Sequence, residues 1–133
     1  MMQHETVLDI FRYFTIFSTD KKFRKFKVVC RYQQYEGANL MVERVKEGKP
    51  KKGLIWHFQG SGKSLLMVFA AQKLRMTKEL NNATILIVLD RIDLKNQIFA
   101  TFSAADVPNI VIAEDKNDLR NKLTGDVRKI IIT

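Results

Sequence analysis

Cysteine is almost missing from this chain, histidine occurs only twice, and acidic residues are outnumbered. A single thiol, Cys30, cannot form an intramolecular disulfide framework. No His, Cys or acidic cluster has zinc spacing either, so Cys30 reads as a core residue in a chain suited to a cytoplasmic setting. No apolar run approaches the roughly 20 residues that span a bilayer, and the N-terminal MMQHETVLDIF is acidic where a secretory leader is basic. No membrane attachment is expected. The shortage of acids, 14 Asp and Glu against 23 Lys and Arg, leaves a formal charge of +9 and points to a polyanionic partner such as DNA, RNA or a nucleotide phosphate. With 133 residues, 46% of them hydrophobic, there is material for one core and at most one domain.

Residues 5–17, ETVLDIFRYFTIF, are too apolar for a helix exposed on one side. They read as an element that docks on something and that would favour self-association where left uncovered. Residues 21–27 carry five basic side chains in seven, with Phe23 and Phe26 interleaved. This is either a nucleic-acid strand-binding surface or a solvated linker or helix face whose two phenylalanines turn inward. Residues 1–30 together are expected to form a helical linker segment. A second helix is expected over residues 31–46, stopped by Glu47-Gly48 ahead of Pro50, with 49–52 as an exposed connector.

Beyond the connector the apolar period becomes strand-like. Four short runs, residues 54–58, 84–89, 110–113 and 129–133, alternate with helical stretches at 63–80, 92–102 and 117–123. A βαβαβαβ order predicts an α/β fold with a parallel sheet flanked by helices and ligands at the strand C-terminal ends. The last run, KIIIT, has nothing after it, so the sheet is expected to be cut off part-way.

Between the first run and its helix lies GLIWHFQGSGKSLLM, a phosphate-binding loop by its glycines and its Gly-Lys-Ser ending. Small residues let backbone N–H groups close around phosphate oxygens, and the following helix adds the positive end of its dipole. Gly60, Ser61 and Gly62 would form the cradle, Lys63 would sit on the β- and γ-phosphates, and the Ser64 hydroxyl would be a ligand for Mg²⁺. His57 stands where the usual pattern has its first glycine.

After the second run, Arg91, Leu94 and Gln97 recur at three-residue intervals in LDRIDLKNQ. Alone, Asp90 reads as an N-cap and Asp93 as a favourable first-turn charge. Beside the phosphate loop the segment resembles the second helicase motif of superfamily 2. Taken in order, RYQQYEGANLMVERV, GLIWHFQGSGKS and VLDRIDLKNQ resemble the motor region of type I restriction enzyme R subunits. The resemblance covers most of the chain. It implies that residues 31–133 are the N-terminal part of a RecA-like, ATP-binding motor domain that uses ATP and Mg²⁺ to translocate double-stranded DNA beside specificity and methylation subunits. It also makes His57 ordinary for the family. By the same resemblance Gln34 matches the adenine-reading glutamine, with Gln33 one residue off as a second candidate, and Arg91 with Gln97 belongs to the DNA path. The other reading of Gln34 is a surface side chain with no ligand.

The acidic pair and second-lobe arginine that such motors need have no place before Thr133, so the isolated chain is expected to bind nucleotide weakly and to lack a useful ATPase rate. The family's nuclease pattern, an Asp and a Glu-x-Lys, is echoed by Asp106 with Glu114-Asp115-Lys116 and by Glu47-Gly48-Lys49, but only at loop positions that read as solvated charges. Two other functions fit parts of the sequence. A small nucleotide kinase would share the loop but should show an arginine-rich lid, and a non-enzymatic nucleic-acid-binding module would rest on residues 21–27.

Overall fold

The computed structural model describes residues 3–20, 22–125 and 128–133. It opens with helix α1 (His4–Tyr13) and an antiparallel hairpin of β1 (Thr15–Thr19) and β2 (Lys25–Val29), in register Ile16↔Val28 and Ser18↔Phe26. The leading segment is therefore helix and hairpin, not helical throughout. The reason is local: after Tyr13 the sequence alternates in twos, with β-branched Ile16 and Val28 turned inward, a period a helix cannot present to one side. Phe14 and Ile16 are buried in the same core as the helix after the phosphate loop, so the expected docking is seen, although Leu8, Phe11 and Phe17 stay exposed. Phe23 and Phe26 are exposed too, which overturns the inward-packed helix face, and Lys21 lies outside the described residues.

Helix α2 (Tyr32–Glu47) ends where Gly48 takes a left-handed φ of 71° and its N–H returns to the Arg44 carbonyl. Helix α3 (Lys63–Met76) stops short of the expected 63–80. The Thr77 hydroxyl donates to the Lys73 carbonyl and Thr77 itself is extended, after which Lys78–Leu80 form one 3-10 turn. Then follow β3 (Ile85–Ile87), α4 (Ile92–Ala104), β4 (Ile110–Ile112), α5 (Lys116–Thr124) and β5 (Ile130–Ile132). The three strands form a parallel sheet in the order β3-β5-β4, with Ile130 aligned to both Ile85 and Ile110. Three consecutive isoleucines suit the central strand, which is covered on both faces, and all three are fully buried.

The first expected strand, residues 54–58, belongs to no ladder. Its burial still alternates: Ile55 and His57 turn toward the protein, while Leu54, Trp56 and Phe58 face outward. The strand pattern is present, but among the described residues no strand lies alongside to accept its hydrogen bonds.

A polar node fastens α3 to both helices that precede it. The Lys73 ammonium lies 2.7 Å from both carboxylate oxygens of Asp9 on α1 and 2.6 Å from the Asn39 side-chain oxygen on α2, over the rings of Tyr13 and Phe14. Both charges are largely covered, at 16% and 21% side-chain exposure. Removing one partner strands the other, so Asp9→Ala is expected to cost about 2 kcal/mol, and adding Lys73→Met should recover much of that loss in urea unfolding. Tyr35 borders the same node. Burial, and then the Asp9 charge, push its phenol above the ordinary 10.0. A raised pKa gives stability that is full below pH 10.0 and fades as pH rises through the folded value. Asp9→Asn should lower the Tyr35 transition without restoring it fully, because burial remains. Absorbance titration of the phenolate with Tyr13 and Tyr32 changed to Phe measures this.

Candidate phosphate-binding site

The loop between residue 58 and α3 takes its shape from two left-handed glycines, Gly60 at φ 81° and Gly62 at φ 82°. A side chain at either position would be strained. Gly62 is the N-cap of α3, so the first helical residues, Lys63 and Ser64, present N–H groups that no preceding turn can satisfy. Ser61 is buried between them, its hydroxyl 3.2 Å from His57 Nδ1. The Lys63 ammonium donates to the Phe58 carbonyl at 2.8 Å, so it folds back over the loop. Two left-handed glycines, a helix N-terminus, an ammonium and a hydroxyl on adjacent residues form a donor set suited to phosphate oxygens and a hard cation.

Gln34 is not where a surface glutamine would be. It is 2% exposed, and both ends of its carboxamide are engaged: the oxygen accepts the Arg31 N–H at 2.8 Å, and the nitrogen donates to the Gly62 carbonyl at 3.1 Å. The side chain thus caps the start of α2 and ties it to the loop. The Arg31-x-x-Gln34 spacing carried that signal, since a glutamine at the third helical position reaches back to the N-cap N–H. Gln33, by contrast, is exposed. The approach of α2 to α3 depends on small residues. A Cβ added at Gly37 would lie 3.3 Å from Leu66, and Ala38 is fully buried.

Arg91 occupies the N-cap position of α4 with an extended backbone, so Asp90 stands one residue before the cap. Asp93 falls in the first turn, as read. Leu94 packs against the core, while Arg91 and Gln97 are exposed. Gln97 lines a groove of 460 Å³ that α4 shares with the hairpin and with Leu65, the next residue but one after Lys63. Of the nuclease-like letters, Asp115 caps α5 by accepting the Asp118 N–H, and the Glu114 N–H donates to Asp118. Among the described residues no three His, Cys, Asp or Glu side chains gather to hold a metal. Cys30 packs against the core, and burial pushes its thiol up, as expected of a structural cysteine.

Residues 33–133 match the SWI2/SNF2 ATPase family, and that stretch spans the loop, both flanking helices and the sheet. The chain belongs to the SWI2/SNF2 ATPases. It is similar to the type I restriction enzyme HindI endonuclease subunit of Haemophilus influenzae, 41% identical over 92% of the chain and 12% of that protein. It is also similar to two type I restriction enzyme endonuclease subunits of Methanocaldococcus jannaschii. One is 33% identical over 93% of the chain and 12% of its own length, and the other 31% identical over 73% and 10%. The chain thus spans about a tenth of the length of these relatives. The family match agrees with the expected partial RecA-like α/β fold. No helix of this SWI2/SNF2 chain, among the described residues, is long and apolar enough to cross a membrane.

The Gln34 contact makes a specific demand on Gly62. A Cβ there would collide with the Gln34 nitrogen, as well as requiring a left-handed alanine. Gly62→Ala is expected to destabilise the chain by about 2–3 kcal/mol. Gln34→Ala in the same background should remove the clash but not the backbone strain. Urea unfolding of the two single variants and the double variant should therefore show a double that is more stable than the sum of the singles.

Proposed function

We propose that this chain is the ATP-binding part of a DNA translocase motor, of the kind found in the R subunit of a type I restriction endonuclease. In the full-length protein it would couple ATP hydrolysis to movement along double-stranded DNA. The observation that carries this reading is the loop itself: two left-handed glycines at the N-terminus of α3, with Lys63 and Ser64 as the first helical residues. Residues 31–133 form the N-terminal part of the motor, and residues 1–30 lead into it. A cytoplasmic location belongs to the same reading, as does a complex with specificity and methylation subunits, which relatives named as endonuclease subunits support.

The residues divide the work as follows. Gly60 and Gly62 offer backbone N–H groups to the phosphates, the Ser61 N–H would join them by leaving the Phe58 carbonyl 3.3 Å away, and the α3 dipole favours the negative charge. Lys63 exchanges the Phe58 carbonyl for β- and γ-phosphate oxygens, trading a neutral acceptor for charged ones. In this sense it is the catalytic residue of the set, since it touches the phosphoryl group that is transferred. The Ser64 hydroxyl would be a ligand for Mg²⁺, which would supply neutralisation of phosphate charge. Gln34 supports ATP binding by fixing the Gly62 carbonyl, and the exposed Gln33 is the side chain free to meet the adenine edge. Arg91 and Gln97 face the DNA from α4. The acidic pair and the arginine for hydrolysis belong to other parts of a longer polypeptide.

Binding of a fluorescent ATP analogue in the presence of Mg²⁺ tests this. Lys63→Ala should weaken it at least about tenfold, the loss of one charge-assisted contact. Unchanged affinity would sink the proposal. Competition with ATP and GTP separates the glutamines: Gln34→Ala should weaken both nucleotides alike, whereas Gln33→Ala should narrow the difference between them.

A further inference from the structure

Residues 22–27 of the basic run form the turn and part of one arm of the β1–β2 hairpin. Antiparallel pairing puts Lys27 opposite Phe17 and Lys25 opposite Thr19, so these four share one face, and all are exposed. The Phe11 ring of α1 extends that face, with the Lys27 ammonium 4.6 Å from its centroid. At the turn, Phe23 is 89% exposed at φ 58°. Asp20, the acid within the hairpin, is committed inward: one carboxylate oxygen accepts the Lys22 and Arg24 N–H groups, and the other holds the Arg24 guanidinium. It therefore organises the turn and balances Arg24, and leaves Lys22, Lys25 and Lys27 as exposed cations.

The opposite face of the hairpin meets α4. Ser18 and Phe26 line the same groove as Gln97 and Thr101. The hairpin thus turns one face to α4 and leaves its cationic face pointing away from that groove. We propose that the outer face of the β1–β2 hairpin is a second DNA contact, in which Lys25 and Lys27, with Lys22 at the turn, bind backbone phosphates on the side of the hairpin away from the α4 groove. The choice of DNA as the polyanion rests on the motor reading; the cationic face and the groove do not. Flexible lysines on phosphates carry no base preference, which suits an element that must hold DNA of any sequence. The exposed phenylalanines offer stacking surface if the strand is unpaired.

The test is anisotropy of a labelled mixed-sequence duplex of about 20 base pairs, titrated with the chain across a salt series. It is run without nucleotide, so it reads the hairpin whether or not the loop takes ATP. Lys25→Glu with Lys27→Glu should weaken binding about tenfold or more, and the milder Lys25→Gln with Lys27→Gln should reduce the salt slope by about two phosphates' worth. The control reverses two exposed cations on α5, Lys116→Glu with Arg120→Glu, the same change of net charge elsewhere. An equal loss in the control, or an unchanged salt slope in the Gln pair, overturns the hairpin site. So does polyglutamate that displaces the duplex at equal charge, which would make the partner an acidic protein. Loss from the hairpin variants while Arg91→Ala binds normally would reject the α4 track and leave the hairpin standing. Circular dichroism of each variant, with unchanged spectrum and melting point, ties the result to binding.

Discussion

The close seating of α2 on α3 is the constraint from which the site follows. A glycine and an alanine at positions 37 and 38 let the helices approach, and only at that separation does Gln34 reach the Gly62 carbonyl. The loop glycines could adopt many conformations by themselves. One is selected because a buried amide, already committed to the N-terminus of α2, demands an acceptor there. Lys73 repeats the logic further along the helix, where it fastens α3 to α1 and α2 through Asp9 and Asn39. The helix that carries Lys63 and Ser64 is thus held near its start and again in its second half. That is the rigidity a site for phosphate needs, since donors must stand in place before the charge arrives.

Much of this was legible in the sequence wherever a local pattern and its burial agree. The isoleucines of β5 could only be a covered strand, Gly48 could only end a helix of that length, and Gly-Lys-Ser at a strand-to-helix junction marked the loop. The misreadings came where a pattern needs a distant partner. Residues 54–58 alternate as a strand does, yet a strand exists only with a neighbour, and that neighbour is not given by the five residues themselves. The hairpin was hidden because a basic, aromatic run at three-residue spacing fits a helix as well as a turn and arm, and it is the pairing with Thr15–Thr19 that decides. Gln34 is singled out by resemblance alone, whereas its burial and its hold on Gly62 depend on how close α2 lies to α3.

The charge surplus has a spatial side that composition cannot give. Several carboxylates serve within the fold: Asp9 against Lys73, Asp20 in the hairpin turn, Glu79 against Lys46, Asp118 against Lys122. Hydrogen bonds, from the Arg24 backbone to Asp20 and from the Lys122 side chain to Asp118, hold these two acids below the usual carboxylate range. Acids occupied in this way cannot screen their surroundings far beyond their own partners. Exposed cations gather on the hairpin and along the connector at residues 49–52.

The exposed run beside the loop has an optical consequence. Trp56 is the chain's single tryptophan, 89% open to water, and lies two residues before the carbonyl that receives Lys63. Its emission therefore originates from one place, with no second indole to dilute it. Anything that dries that ridge will shift the emission to the blue, and a soluble quencher will lose access to it in step. The chain carries an intrinsic dye at the border of its phosphate loop.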